Sequence, residues 1–563
     1  MEQRTHSTGS VQACTKCKNN FTLDEDDFSF YEKMNVPPPT VCPDCRFKMR
    51  GLYRNEMTLY TGRKCSLCEK SIISMFNPKS PYTVYCNDCY RSDAWNASDY
   101  AMPYDKSRPF FEQLQELLTS VPKISTSDFP AMGEQSNSDF TNTVGGLKDC
   151  YMIFNSGPAE TSYYSRGING TVEVMDAYFG SKDEQCYETV NVHESSKIIY
   201  GTNIKGSVDC YMCEDLSGCT DCFGSVGLRN KSHFLYNQEV TKQEYDQFIE
   251  EWKGSRKRFD EEKEKFMRHR LAYPKRENNS IKSIDSVGDY LFEAKNIKYS
   301  FEIRTGEDSK YNFSNKDIKD SYGTTGYGID SERLLECVAC GHSTHVIGSW
   351  GVDQSMNVAY SFSCISNNHD LIGCDSLKNS SYCILNTQYT KEEYESLSEH
   401  IVRELTNLGV YGLMMPPELA PYAYNECIAG DNMPLTKEEA IAQGYRWEDD
   451  IQITKGKETL QSQDIPDHIN DVPESITKEI LRCVGCERNY RITERELLFY
   501  RKMILPVPHH CFYCRHKDRI RRRGPYQFWE RECARCHKQI TTTYAPDRQE
   551  IVYCETCYQR EVI

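Results

Sequence analysis

The chain has 563 residues, of which 27% are charged and 38% hydrophobic, and its formal net charge is −16. This length favours three or more domains over one ordinary core, and the polar composition is typical of a globular chain. No stretch reaches the roughly 18 continuous apolar residues of a membrane-spanning helix. The first residues lack the apolar core of a secretory signal, so we expect a cytoplasmic protein without a membrane segment.

Cysteine is the outlier of the composition, with 28 in the chain. In a reducing compartment, cysteines in C-x-x-C pairs bind metal more often than they form disulfides. Eight such pairs lie near the two ends of the chain, four at each end. Their cysteines are Cys14, Cys17, Cys42, Cys45, Cys65, Cys68, Cys86, Cys89, Cys483, Cys486, Cys511, Cys514, Cys533, Cys536, Cys554 and Cys557.

The two ends are copies of one module. At each end, 24 residues separate the first two pairs and 17 separate the last two. The segment FYEKMNVPPPTVCPDCR (30–46) also aligns with FYRKMILPVPHHCFYCR (499–515). Two knuckles, each carried on a hairpin, would complete a tetrahedral S4 site of the kind that holds structural Zn²⁺. We therefore predict four zinc ions, with successive pairs sharing an ion and a cross-braced pairing as the alternative.

These motifs resemble bacterial zinc-ribbon domains of unknown function. The first half of each copy, with F-Y-x-K-M, prolines and C-x-x-C-R, is similar to one such domain, and the second half, ending V-Y-C-x-x-C-Y, is similar to small C-x-x-C ribbons. The whole arrangement resembles uncharacterised multi-ribbon proteins of bacteria with small genomes. The resemblance covers about 85 residues at each end, and it implies zinc binding but no activity.

The middle of the chain has the pattern of a repetitive β array. Between residues 139 and 237 an aromatic residue recurs every 9 to 15 positions, often in tripeptides such as DCY, QCY and DCF, and a second run follows from 290 to 382. Glycine, asparagine, serine and aspartate between them are typical of strands and turns. We predict a mainly β, multidomain protein whose central array is solenoid-like, with a two-sheet sandwich as the alternative.

Both runs end in the same way. Residues 228–245 align without gaps with residues 377–394, and each segment passes from a last strand into a helix. Thr241 with Glu244, and Thr390 with Glu393, predict capping boxes at the two helix starts. The helix after the first run is highly charged and is expected to face solvent.

The predicted organisation follows from these patterns. It comprises an N-terminal zinc-ribbon pair (11–91), a connecting helix (108–122), a first β-repeat unit (135–240), a charged helix (241–271), a second β-repeat unit (281–389), a helix with an irregular cover (390–447), an acidic linker (448–479) and a C-terminal zinc-ribbon pair (480–563).

Two further clusters offer metal ligands. Cys337, Cys340, His342 and His345 form a candidate fifth zinc site, for which a turn insertion is the alternative. Cys210, Cys213, Cys219 and Cys222 could hold zinc or an iron–sulfur cluster. We favour buried thiols for this second group, because Cys210 and Cys222 directly precede the aromatic residues of the repeat.

No nucleotide-binding loop or hydrolase motif is present, so an enzyme is the less favoured class. We expect a non-catalytic zinc scaffold or recognition protein. Residues 483–563 carry 16 Lys and Arg against 10 Asp and Glu, which suggests contact with nucleic acid or nucleoprotein. The candidate contact residues are Arg515, Arg519, Arg521, Arg522, Arg523 and Trp529.

Alternatives to this hypothesis remain at the level of sequence. The basic stretch could instead dock onto the acidic middle of the same chain. The protein would then be an assembly scaffold with protein partners, or an enzyme with a site in the β array. The pattern does not determine an oligomeric state.

Overall fold

A computed structural model describes residues 9–451 and 453–562, so the first residues, on which the absence of a secretory signal was predicted, lie outside the described part. The chain divides into two compact units, each built from two separated stretches. Unit 1 combines Met1–Ser125 with Asn278–Asp449, and unit 2 combines Thr126–Glu277 with Asp450–Ile563. The N-terminal ribbon pair is therefore grouped with the second β unit, and the C-terminal ribbon pair with the first.

Most of the regular structure is β, as predicted. The strands of the first β unit are Asn142–Val144, Leu147–Lys148, Tyr151–Ser156, Ala159–Glu160, Tyr163–Asn169, Thr171–Val172, Met175–Ser181, Tyr187–His193, Ser196–Ile199, Thr202–Lys205, Val208–Tyr211, Glu214–Ser217, Thr220–Phe223, Ser232–Leu235 and Gln238–Glu239. Those of the second are Val287–Lys310, Phe313–Lys319, Tyr322–Tyr327, Ser331–Cys340, Thr344–Ile347, Ser355–Ala359, Asn368–Ile372, Ser381–Ile384 and Thr387–Gln388.

Strand pairing within each β unit is parallel, apart from a closing hairpin. Each strand pairs with the segment one repeat further along the chain, and the repeat is mostly 12 residues long. Cys210, for example, lies beside Ile198 on one side and Cys222 on the other. A strict step of this size places equivalent side chains in ladders along the unit.

Within each repeat the backbone has a shorter period of three residues. In the first β unit almost every third residue has a positive φ, as at Asp209, Met212, Asp215, Gly218 and Asp221. Glycine takes this conformation without cost, and asparagine and aspartate tolerate it better than most other residues. This explains why these three residue types are frequent in the repeats.

The core of each β unit is filled by the residues that follow the positive-φ positions. In the first unit these include Ile198, Ile204, Cys210, Leu216 and Cys222, all of them buried. The tripeptide DCY therefore has a structural meaning: the aspartate turns the backbone, the cysteine points into the core, and the tyrosine points outward. Because only one residue in three points inward, the interior is narrow, and it is filled mainly by aliphatic side chains and cysteines.

Inward serines satisfy the backbone of the next repeat. The Ser195 hydroxyl accepts a hydrogen bond from the Ser207 amide, and the Ser207 hydroxyl accepts one from the Cys219 amide. Ser349 and Ser361 continue the same pattern in the second unit. Serine is tolerated at these core positions because its polar atom is hydrogen-bonded.

The helices lie outside the β ladders. They are Glu25–Lys33, Pro43–Gly51, Asn87–Arg91, Phe110–Ser120, Lys242–Trp252, Arg256–His269, Lys391–Asn407, Ile428–Asn432, Lys437–Ala442, Glu494–Met503, Phe512–Arg523 and Glu555–Val562. A helix spans Phe110–Ser120 within the segment predicted as the connecting helix (108–122), and both predicted capping boxes are present.

The charged helix differs from its prediction. It is two helices, because Gly254 adopts a positive φ and Ser255 caps a new start. It is also not wholly solvent-facing, since Trp252 packs against Tyr211 and Phe223 of the β unit. Its apolar positions thus cover one side of the ladder.

The segment predicted as an acidic linker is also packed. Ile465, Ile469, Val472 and Ile476 are buried, and short 3-10 helices run through Ser462–Asp464, Ile469–Asp471 and Glu474–Lys478. The predominance of polar residues in this segment concealed four apolar side chains that anchor it. Among the helices of the described residues, none combines the length and hydrophobicity needed to cross a bilayer.

The period of three residues predicts where the β units are sensitive to mutation. Ile204→Ala, at a buried inward position, should lower the free energy of unfolding by about 2–5 kcal/mol through lost burial and a residual cavity. Lys205→Ala, at the exposed next position, should change it by less than about 0.5 kcal/mol. Urea unfolding of both variants measures the difference, and equal effects would contradict the assignment of inward positions.

Candidate metal centres and their docking on the β units

The sixteen terminal cysteines form four groups that could each hold a metal ion. Site 1 is Cys14, Cys17, Cys42 and Cys45; site 2 is Cys65, Cys68, Cys86 and Cys89; site 3 is Cys483, Cys486, Cys511 and Cys514; site 4 is Cys533, Cys536, Cys554 and Cys557. Within each group the sulfur atoms lie within 4.8 Å of one another. The ligands are thus grouped sequentially, as favoured from the spacing, and not cross-braced.

The sulfur–sulfur distances fit a tetrahedral ion. A Zn–S bond of about 2.3 Å implies an S···S edge of about 3.8 Å. The second and third cysteines are 3.6 Å apart in site 1, 3.9 Å in site 2, 3.6 Å in site 3 and 3.7 Å in site 4. All four sites therefore have the dimensions of a closed S4 centre.

Each site combines a hairpin with a helix. In each site, the residue directly after the first C-x-x-C pair has a positive φ. These residues are Lys18, Glu69, Glu487 and His537. The second pair opens a helix, with the third ligand at the N-cap in sites 1, 2 and 3. Our prediction of a second hairpin was wrong at this point, because the spacing of C-x-x-C is equally compatible with the first turn of a helix.

An equivalent hydrogen bond joins the two cysteine pairs in all four sites. The amide of the third cysteine donates to the sulfur of the first, over 3.3 Å in site 1 and 3.2 Å in sites 2, 3 and 4. A hydrogen bond from Cys45 lowers the pKa of Cys42 to about 5, and one from Cys511 lowers the pKa of Cys483 to about 3. The same hydrogen bonds raise the pKa values of Cys45 and Cys511, so in each pair one cysteine ionises readily and the other keeps its proton until a bound metal displaces it.

A row of arginines follows the last ligand of site 1. Arg46, Arg50 and Arg54 recur every four residues along one side of the helix Pro43–Gly51 and its extension, and all three are buried. Arg46 and Arg50 both bind the carboxylate of Glu336 in the second β unit, at 2.9 and 2.5 Å. Glu336 is itself fully buried.

A glycine in the second β unit leaves the space that this row of arginines occupies. A side chain at Gly326, which has a positive φ, would collide with the guanidinium of Arg54. Phe30, from the preceding helix, stacks on Tyr322 with ring centroids 3.9 Å apart. The first half of the N-terminal ribbon pair is thus packed directly on a β ladder.

The same row is present after site 3. Arg515, Arg519 and Arg523 are the equivalents of Arg46, Arg50 and Arg54, and all are buried. Arg515 and Arg519 bind Asp176 of the first β unit at 2.8 and 2.7 Å, and Arg523 donates to the hydroxyl of Tyr178 at 2.8 Å. We call Arg46, Arg50 and Arg54, and their counterparts Arg515, Arg519 and Arg523, the arginine rows.

A neutral imidazole fills the interface beside the second row. Burial, together with the positive charge of Arg519, holds the pKa of His516 well below its usual range. A protonated histidine would add another buried charge to this arginine-rich face. Because the imidazole is neutral, it does not compete with Arg515 and Arg519 for the carboxylate of Asp176.

Sites 2 and 4 dock through a tyrosine. Tyr90 directly follows the last ligand of site 2, and its hydroxyl lies 2.8 Å from that of Ser376 in the second β unit. Tyr558 follows the last ligand of site 4 and donates a hydrogen bond to Asp215 in the first β unit. In all four sites, the residue next to the last ligand therefore contacts a β unit.

These contacts change the interpretation of the basic C-terminal stretch. Arg515, Arg519 and Arg523 are buried, and the guanidinium of Arg522 lies 4.0 Å from the ring centroid of Tyr200. Four of the six predicted nucleic-acid contacts are thus engaged with the protein itself. Arg521 is exposed and Trp529 is half-buried. The count of basic residues suggested a nucleic-acid surface. A count of this kind does not show which side of a helix is covered by the rest of the protein.

The predicted fifth site is not assembled. Cys337 and Cys340 are buried in the core of the second β unit. His342 is exposed and His345 is half-buried, and they bind Asp353 at 2.9 Å and Asn357 at 3.0 Å. Within residues 9–451 and 453–562, these four form no metal-holding group. The period of three separates them, since only one residue in three points inward.

The four central thiols are core residues, as favoured from the sequence. Cys210, Cys213, Cys219 and Cys222 are buried, and each thiol donates to backbone carbonyl groups. Burial raises the pKa of Cys213 well above its ordinary value. Such thiols stay protonated and inert, and in the described part of the chain they do not form a metal-holding group.

The sequence pattern identified Arg515, Arg519 and Arg523, with docking onto the acidic middle as an alternative role. It did not identify Arg46, Arg50 and Arg54, the docking tyrosines or the acceptors. A signal was nevertheless present in both copies of the module. Arginines occupy the first and fifth positions after the last ligand of sites 1 and 3, and a tyrosine follows the last ligand of sites 2 and 4, although metal binding requires none of them. A shared partner for these residues could have been inferred. Glu336 and Asp176 could not, since nothing in their local sequence marks them.

A scan against known protein families and a search of curated proteins both found no match.

Metal content tests the four sites. The purified chain should hold about four zinc ions per molecule, and Cys45→Ser should hold about one fewer because an S4 site has lost a ligand. Cys210→Ser removes a buried core thiol and should keep all four. Elemental mass spectrometry with quantified protein gives these ratios, and a value near two for the unmodified chain would contradict the assignment.

The arginine rows provide a second test. Arg519→Gln leaves the buried carboxylate of Asp176 with one cation fewer and should lower the free energy of unfolding by about 3–5 kcal/mol. Arg521→Gln makes the same change two residues away on the exposed side of the same helix and should cost less than about 0.5 kcal/mol. Denaturant unfolding measures both, and a similar loss in the two variants would contradict the interface.

Proposed function

We propose that this protein is a non-catalytic zinc-binding scaffold, in which metal-held ribbon pairs are fixed onto β units that present binding surfaces. The observation that carries this proposal is the docking of both arginine rows on buried carboxylates, Glu336 and Asp176. A ribbon pair attached in this way is a rigid part of its unit. It is not a separate recognition head on a tether.

Zinc is the metal that best fits the four sites. All ligands are thiolates, the spacing suits a tetrahedron, and Zn²⁺ favours S4 coordination in structural sites. Four protein ligands leave no coordination position for water or substrate. This supports a structural role for the metal and gives no support to metal-dependent catalysis.

The form of the β units supports a scaffold. Parallel pairing at a step of about 12 residues, with one residue in three pointing inward, supports the solenoid-like form over the sandwich. Stacked repeats create elongated surfaces with ladders of equivalent side chains. Asn191 and Asn203, 2.8 Å apart across one repeat, are one such pair.

Protein assembly is favoured over nucleic-acid binding. Much of the basic C-terminal stretch is already engaged inside unit 2, because Arg515 and Arg519 bind the carboxylate of Asp176 and Arg523 binds the hydroxyl of Tyr178. Lys517 and Arg521 are the exposed cations left on that helix. We propose protein partners in the cytoplasm, where the free thiols of the β cores and the metal ligands would stay reduced.

Binding assays separate the two functions. We expect no saturable binding of the full chain to single-stranded RNA, single-stranded DNA or duplex probes at low salt. Salt-dependent binding that is lost in the double variant Lys517→Gln, Arg521→Gln would overturn the scaffold proposal in favour of nucleic-acid binding. Cross-linking of the native protein after nuclease treatment should still join it to protein partners through exposed residues of the β units.

A further inference from the structure

The metal ligands and the docking residues are carried on the same short helices. In site 3 the third ligand, Cys511, caps the helix Phe512–Arg523, and the fourth ligand, Cys514, lies in its first turn. The next residue, Arg515, binds Asp176 at 2.8 Å, and Arg519 and Arg523 follow on the same side. Site 1 repeats this arrangement on the helix Pro43–Gly51.

Such a helix cannot be held in place by its own hydrogen bonds. Isolated helices shorter than about 12–15 residues are marginal in water, and these two have 12 and 9 residues. The direction of each helix at its start is set by the two cysteines that share an ion with the preceding hairpin. The orientation of the arginine row therefore depends on that ion.

The opposite dependence follows from the same contacts. Once Arg515 and Arg519 are bound to Asp176, they hold the helix in the position in which Cys511 and Cys514 face the hairpin ligands. Linkage requires that an ion which favours docking is itself favoured by docking to the same degree. The free energies of metal binding and of docking are therefore coupled.

We propose that sites 1 and 3 are metal-operated latches: binding of the ion fastens the first half of each ribbon pair to its β unit through the arginine row, and loss of the ion releases that half. On release, Asp176 and the aromatic residues around it, Tyr164, Tyr178 and Tyr200, become accessible in unit 2. Glu336, Tyr311 and Tyr322 become accessible in unit 1. The inference rests on the zinc occupancy proposed above.

The rate of metal loss tests the latch. The zinc-loaded full chain is mixed with an excess of a chromogenic chelator, and the release of each ion is followed by absorbance. In Arg519→Gln, one of the four ions should leave roughly tenfold faster than in the unmodified chain, within the 5–150-fold range of typical couplings. Arg521→Gln is the matched control and should release all four at the original rates.

A milder variant keeps the test usable if Arg519→Gln folds poorly. Tyr178→Phe removes only the hydroxyl that accepts from Arg523, and should accelerate loss of the same ion by roughly fivefold, at the low end of such couplings. The same release rates for all ions in both variants and the unmodified chain would overturn the latch. Failure of the unmodified chain to bind zinc would instead overturn the zinc proposal.

Hydrogen exchange gives a second measure on the unmodified chain. Removal of zinc by the chelator should increase amide exchange in Phe512–Arg523 and deprotect the β strand Met175–Ser181, which the arginine row covers. The strand Thr220–Phe223, which is covered by Trp252 instead, should keep its protection. Unchanged exchange in Phe512–Arg523 and Met175–Ser181 after zinc removal would also contradict the proposal.

Discussion

The structure depends on one interaction that occurs once in each unit. A carboxylate buried in a β ladder is bound by two arginines, which come from the helix that carries two cysteines of a candidate metal site. A lone buried carboxylate is costly, and two guanidinium groups in contact with it compensate for the lost hydration. Glu336 and Asp176 are both fully buried, so neither is tolerable without its arginines. Each ribbon pair and its β unit are therefore stable together, which explains why the chain divides into two mixed units.

The interior of the β units explains the remaining cysteines. With one inward residue in three, the interior accommodates small side chains, and cysteine serves as a small apolar residue with a weak donor. The thiols of Cys210 and Cys337 donate to nearby carbonyl groups and lie close to the position that serine fills elsewhere. The chain thus uses cysteine in two ways, as candidate metal ligands in the ribbons, most of them buried, and as packing residues in the ladders.

Much of the site was predictable from residue spacing. The C-x-x-C pairs predicted the four groups, because each pair points two sulfurs at one ion and two pairs complete an S4 site. The connector of about 19 residues and the hairpin signals within each group favoured sequential pairing. The capping boxes at Thr241 and Thr390 were predictable for a similar reason, since both partners lie within one turn. The second arginine row, Arg515, Arg519 and Arg523, was visible as part of a basic stretch, but its direction was not, because composition does not reveal which side of a helix is covered.

The sequence by itself determined the four cysteine groups, the duplication and the β character of the middle, since each of these is recorded in local spacing. Only the tertiary structure decided which ribbon pair joins which β unit, and that Arg515 and Arg519 face Asp176 instead of solvent. The partners in each contact are more than 280 residues apart in unit 1 and more than 330 apart in unit 2. Such pairs leave no periodic signal, because they are selected by the surfaces that folding brings together.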